Sequence, residues 1–176
     1  MSKQRCLRRK CSGFTMIEIV ASLVVMGIIA AFGTSLLTNV ARGYTHARNA
    51  DEVVQKAQMA LQRMTIEFTQ LDPAGAIGNA ANITYSYNST NCFIFQNGNA
   101  IVYRYAGVNY TLVDGVAAGS LQFRYYANYS STALTSFSNN SPNINLIGVS
   151  FNMQGDDTSV GMNQAYSTRV KVNKLQ

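Results

Sequence analysis

Gly13-Phe14-Thr15-Met16-Ile17-Glu18 joins a basic leader to a long apolar run, and its reading decides the rest of the chain. Upstream lie Lys3, Arg5, Arg8, Arg9 and Lys10; downstream, Phe14 to Leu37 is apolar or small except for one carboxylate, Glu18. A run of 24 residues at about 1.5 Å per residue measures about 36 Å, enough to span a bilayer as a helix. A charged side chain at the centre of such a helix costs roughly 2.5–3.5 kcal/mol on insertion scales. Glu18 therefore needs a partner, or a reason to sit at an end.

Charge tells the same story from the other side. The net charge of +6 and pI near 9.4 suggest a polyanion-binding protein. Yet five of the 14 Lys and Arg precede Phe14, and from there nine basic face eight acidic side chains. The basicity is a property of the leader, so whole-chain pI says little about partners. Basic residues ahead of an apolar run keep that end cytoplasmic and send the C-terminal part across. Ile29-Ala30-Ala31 could serve a signal peptidase, but an ordinary secretory signal has a shorter apolar region without an internal acid.

The sequence around the junction resembles the type IV prepilin and type II secretion pseudopilin family. The resemblance rests on Gly13, Phe14, Glu18 five residues into the mature chain, and the apolar Ile19-Val20-Ala21-Ser22-Leu23-Val24-Val25. It implies that a membrane-embedded prepilin peptidase cuts after Gly13 and methylates the new amino terminus of Phe14. It also implies that Glu18 neutralises the terminal ammonium of a neighbouring subunit during assembly. Pairing two buried charges is tolerable where one alone is costly. The alternatives are that Glu18 snorkels to the headgroups, or pairs with Phe14 one turn away on its own helix.

On this reading residues 1–13 are a removed leader and 14–37 a transmembrane or filament-core helix. Residues 38–72 continue that helix amphipathically, and 73–176 form a β-rich globular domain. Gly33, Thr34, Ser35, Thr38, Asn39 and Gly43 make 33–45 its weakest part; where the family often has proline, this chain has Ser35. From Arg48 to Leu71, Val53 or Val54, Ala57, Leu61, Met64, Phe68 and Leu71 recur at three- and four-residue steps, an apolar stripe fit to pack on the chain's own sheet. Asp72-Pro73 ends it.

Residues 73–82 read as a loop. Alternating segments then begin at Ile83, Cys92, Ile101, Tyr110, Leu121, Ile147 and Ser167, with Asn97-Gly98 as a hairpin turn. Ser130 to Asn145 reads as a polar surface loop. The expected fold is α+β, pilin-like: a long N-terminal α-helix, membrane-spanning in its first half, packed by its amphipathic second half on an antiparallel, meander-like sheet.

No catalytic residues are expected. His46 is the only histidine, and no phosphate loop, nucleophile elbow or metal-ligand spacing is present. No cofactor is implied; Asp156 and Asp157 could contribute to a calcium site, although an ordinary turn is the simpler reading. With Cys6 and Cys11 in the leader, Cys92 has no internal disulfide partner and reads as a buried thiol. The ten tyrosines fit cross-strand packing. Arg104, Arg124, Arg169, Lys171 and Lys174 could converge in space, but no nucleic-acid partner is expected for the isolated domain.

Leu112-Val113-Asp114-Gly115-Val116, Leu121-Gln122-Phe123-Arg124-Tyr125 and Thr168-Arg169-Val170-Lys171-Val172 resemble minor-pilin or J-type pseudopilin segments. The resemblance implies a bitopic inner-membrane protein, leader cytoplasmic and globular domain extracytoplasmic, that joins a filament or reaches the cell surface. Its partners would be the peptidase, other subunits, the assembly platform and, indirectly, its ATPase. The alternative is a pilin-like binding module presenting its domain to DNA, secreted cargo or a surface.

Overall fold

The computed structural model describes residues 13–139, 141, 143–154 and 163–172. Leader residues 1–12, the pair Asp156 and Asp157, and Lys174 lie outside them. The chain divides into two compact units, 1–45 and 46–176, each taken by itself below.

In the first unit the chain is irregular from Gly13 to Thr15 and then helical; helix α1 runs Met16–Thr69. Its described side chains up to Thr45 are exposed, apart from half-buried Gly33. The weak stretch from Gly33 to Gly43 is helical throughout. Its hydroxyls turn back on the helix: Thr34 Oγ1 donates to Ala30 O at 2.8 Å and Thr38 Oγ1 to Ser35 O at 2.9 Å. Ser22 and Thr45 donate likewise, to Ile19 O and Arg42 O. These four hydroxyls are thereby satisfied within the helix, as a lipid environment would require.

In the second unit α1 buries Val53, Ala57, Ala60, Met64, Glu67 and Phe68. The stripe is as expected except at one step: Ala60 is sealed and Leu61 is half-buried. A methyl at that point lets the helix approach its neighbours closely. After Thr69, the Asp72 carboxylate accepts from the Ala74 amide at 2.9 Å and caps the 3-10 turn Pro73–Gly75, the proline-bearing stop read from the sequence.

The strands are β1 (Ile77–Gly78), β2 (Asn82–Tyr87), β3 (Thr90–Asn97), β4 (Ala100–Tyr105), β5 (Val108–Val113), β6 (Gln122–Tyr126), β7 (Phe137–Ser138), β8 (Leu146–Met153) and β9 (Gln164–Lys171). They form two antiparallel sheets where one had been expected. Sheet one has the order β5-β4-β3-β2-β1-β7, and sheet two β6-β8-β9. Three successive hairpins build the meander of sheet one. Asn97-Gly98 does mark one, with Gly98 at φ 58°. The other two turn on Asn88-Ser89 and Ala106-Gly107, all four residues at positive φ, the conformation that matches strand twist in a two-residue connection.

Two segments read as loops contribute to the core. Residues 73–82 contain β1, where a side chain at Gly78 would stand 2.3 Å from the Tyr125 hydroxyl and 2.5 Å from the Phe137 ring; only glycine fits. Within 130–145, Leu134 bridges Tyr125, while Phe137 and Ile144 are buried. Both sheets contribute to one apolar cluster with α1, including an edge-on contact of Phe68 with Phe123 at 6.1 Å between centroids.

Candidate functional site: the motif-bearing terminus and its helix

Gly13 to Thr15 precede the helix and carry no regular structure, so the Gly13–Phe14 bond expected to be cut lies outside regular secondary structure. A Cβ at Gly13 would meet nothing within 4 Å, so this fold does not require glycine there. The first backbone bonds start at Thr15, whose carbonyl accepts from the amides of Glu18 at 3.0 Å and Ile19 at 3.3 Å. Glu18 thus occupies the first turn of α1, where a carboxylate is favoured by the exposed amides.

Phe14 is 75% exposed and Glu18 is exposed. The three ion pairs among the described residues, Lys56–Glu52, Lys56–Asp114 and Arg63–Glu67, do not involve Glu18. Cutting after Gly13 would create an ammonium one turn from Glu18. From Met16 the helix is long and apolar enough to cross a membrane by length and composition. Phe14, Met16, Ile17, Leu23 and Met26, each more than 60% exposed, need covering by lipid or by other helices.

The globular unit carries a polar site that the sequence reading missed. Glu67 is 7% exposed, accepts from the Tyr85 hydroxyl at 2.6 Å and pairs with Arg63 one turn back. The Tyr103 hydroxyl donates to Cys92 Sγ at 3.4 Å on the neighbouring strands, and Arg63 stacks over the Tyr103 ring. Burial, followed by the Glu67 hydrogen bond, pushes the Tyr85 phenol far above its ordinary value; burial does the same for Tyr103 and Tyr125. The signal for Glu67 was present: stepping 57, 60, 64, 67, 71 lands on it. It fixes α1 to β2 by a hydrogen bond whose loss would strand a buried carboxylate.

Beside this latch opens a cleft of about 590 Å³, with Tyr87, Tyr103, Tyr105 and Tyr110 in its wall. The tyrosines therefore divide. Tyr85, Tyr103, Tyr125 and Tyr126 are buried as expected, whereas Tyr44, Tyr87, Tyr110 and Tyr129 are exposed. Cys92 is fully buried. Arg104 does not join the other cations: it lies over the Phe93 and Phe95 rings of sheet one, while Arg124, Arg169 and Lys171 belong to sheet two. Among the described residues no three His, Cys, Asp or Glu gather as a metal site.

Comparison with known proteins bears on the N-terminal segment and on a little more than a third of the chain. Residues 8–34 match the family described as the prokaryotic N-terminal methylation motif. Over 65 residues the chain is 29% identical to type II secretion system protein J of Klebsiella pneumoniae, which covers 37% of this chain and 33% of that protein. The chain thus spans about a third of the length of the curated relative it matches. It carries a prepilin-type N-terminal methylation motif, and over little more than a third of its length it resembles a pseudopilin of the type II secretion system.

Proposed function

We propose that this chain is a structural subunit, a minor pilin or J-type pseudopilin, of a type IV pilus or a type II secretion-like filament. It would be held in the inner membrane by residues 14–37, with its globular unit extracytoplasmic. Prepilin peptidase would remove residues 1–13 and methylate Phe14. The helix would then leave the lipid for a bundle of neighbouring helices, Glu18 meeting the Phe14 ammonium of another subunit. No catalytic role is assigned to it.

The observation that carries this reading is the pairing of an exposed, lone acid at the start of α1 with a matched methylation motif around it. Insertion into lipid alone would be easier without Glu18, so a plain anchor gives no reason for it. Intact-mass measurement on chain purified from membranes tests the processing. A species beginning at Phe14 with one added methyl is expected; a chain retaining residues 1–13 in cells with active peptidase would overturn it.

A further inference from the structure

We propose that the outer face of sheet two is a docking surface for the phosphate groups of an anionic lipid bilayer. The strand register sets Arg124 opposite Gly148 and Gly148 opposite Arg169. The two arginines thus flank a position with no side chain, on Cα atoms about 10 Å apart, two strand spacings. Lys171 follows two residues beyond Arg169 on the same face, and all three cations are exposed. None of the three ion pairs among the described residues involves them. Arg124 has a 3.5 Å contact to Gln122, and Arg169 lies 4.4 Å above the Tyr126 ring, which holds its guanidinium over the sheet. Gly148 permits this: a Cβ there would meet Tyr126 at 3.2 Å and Arg169 Cγ at 3.7 Å. No acid lies on the described strands of this sheet.

Charge complementarity calls for an anionic partner, and the remaining features select among such partners. Tyr126 is only 7% exposed beneath Arg169, so no ring is offered for stacking a nucleobase. Three phosphate contacts on duplex DNA would lose about forty-fold in affinity between 50 and 200 mM salt, too weak a hold for a useful DNA site. The rest of the face is Gln122, Ser150, Ser167, Asn152 and the small Ala165, with Leu146 buried at 3% exposure beside Tyr126, so it offers no large exposed apolar anchor for a protein partner. A lipid surface needs neither rings nor anchors. Each Lys or Arg near an anionic bilayer multiplies partition about five-fold, so three give about a hundred-fold. That is insufficient to recruit a free domain, yet on a chain confined to the bilayer by residues 14–37 it decides which face turns to the headgroups. The inference rests on that anchor reading.

The test uses the mature full chain with Ser167→Cys, on the same exposed face, carrying a dye; Cys92 is fully buried. The chain is reconstituted into vesicles of phosphatidylcholine, alone or with 30 mol% phosphatidylglycerol, each with a nitroxide-headgroup lipid. Quenching at least three-fold stronger in the anionic vesicles is expected. It should be lost in Arg124→Gln/Lys171→Gln, which keeps the Arg169–Tyr126 contact, and in 500 mM NaCl. Equal quenching in the two vesicles overturns the proposal. So does its abolition by inorganic phosphate at fixed ionic strength, which would indicate a free-phosphate site, and so does retention of a duplex oligonucleotide at 150 mM salt. Flotation of the chain with both vesicle types reports the anchor separately; failure to float with neutral vesicles would refute the anchor and not the face.

Discussion

Helix α1 is one element with two opposite treatments of its apolar side chains. Between Met16 and Thr45 nearly every side chain is exposed, and the hydroxyls of Ser22, Thr34, Thr38 and Thr45 bond back into the helix itself. Between Val53 and Phe68, an apolar stripe and one carboxylate are sealed by the chain's own strands. The difference lies in what supplies the cover. The second stretch meets its need within the molecule and is therefore structural, whereas the first leaves its need to cover from outside the chain, which the proposed function assigns to lipid and then to other subunits. Exposed apolar surface there is the functional statement.

Blocking the cut should give the largest effect. Gly13→Leu replaces the residue before the proposed scissile bond without touching the fold, since nothing lies near that position. Immunoblots should show full-length precursor only, with the globular unit's melting temperature unchanged. A normally processed variant would break the distinction between a site read by a partner and one read by the fold.

In the second stretch, Phe68→Ala removes a fully buried ring that meets Phe123 edge-on. A loss of about 3–5 kcal/mol in denaturant unfolding is expected. The equivalent change in the exposed stretch, Phe32→Ala at 74% exposure, should leave the globular unit's unfolding within about 0.5 kcal/mol of the parent.

Tyr85→Phe sharpens the comparison through charge. Removing the phenol leaves Glu67 with one partner fewer and should cost about 1–3 kcal/mol. It also has a pH signature. Tyr85, Tyr103 and Tyr125 are all raised in the fold above the ordinary 10.0. The folded state therefore binds more protons than the unfolded one above that pH. Stability should be complete below pH about 10 and fall as pH rises beyond it. Tyr85→Phe should flatten that alkaline decline; an unchanged slope would remove Tyr85 from the latch.

The smallest effect belongs to Lys56, shared between Glu52 and Asp114 at 3.1 Å each. The Asp114 hydrogen bond, then that of Glu52, holds its ammonium pKa up, but all three groups are substantially solvated. Lys56→Gln should cost less than about 1 kcal/mol, and less still in high salt.

What could be read beforehand follows from how local the cause is. The apolar run, the 53–71 stripe, the Asp72-Pro73 stop and the seven main strands are written in composition and period, and they appear where expected. The division into two sheets is not local, because it depends on which strands β6 and β8 meet across the sequence. Glu67 was hidden by its type: a carboxylate on an apolar arc reads as surface until Tyr85 is found opposite it. Phe137 and Ile144 were hidden by their neighbours, since Ser and Asn around them suggest a loop. At the terminus, Gly13, Phe14 and Glu18 lie within the matched methylation motif, and the role proposed for them is one that a partner would read from sequence. The fold leaves them exposed.

The most direct test concerns Glu18. Cells carrying Glu18→Ala should contain the chain in the membrane at the parental level with residues 1–13 removed, since taking a charge out of the apolar run does not impair insertion. The measurement is the amount of mature subunit in filaments sheared from those cells, relative to the membrane pool. A loss of most of the filament fraction with an unchanged membrane pool is the expected result. Glu18→Ala chains present in filaments at the parental ratio would contradict the proposed charge pairing between subunits.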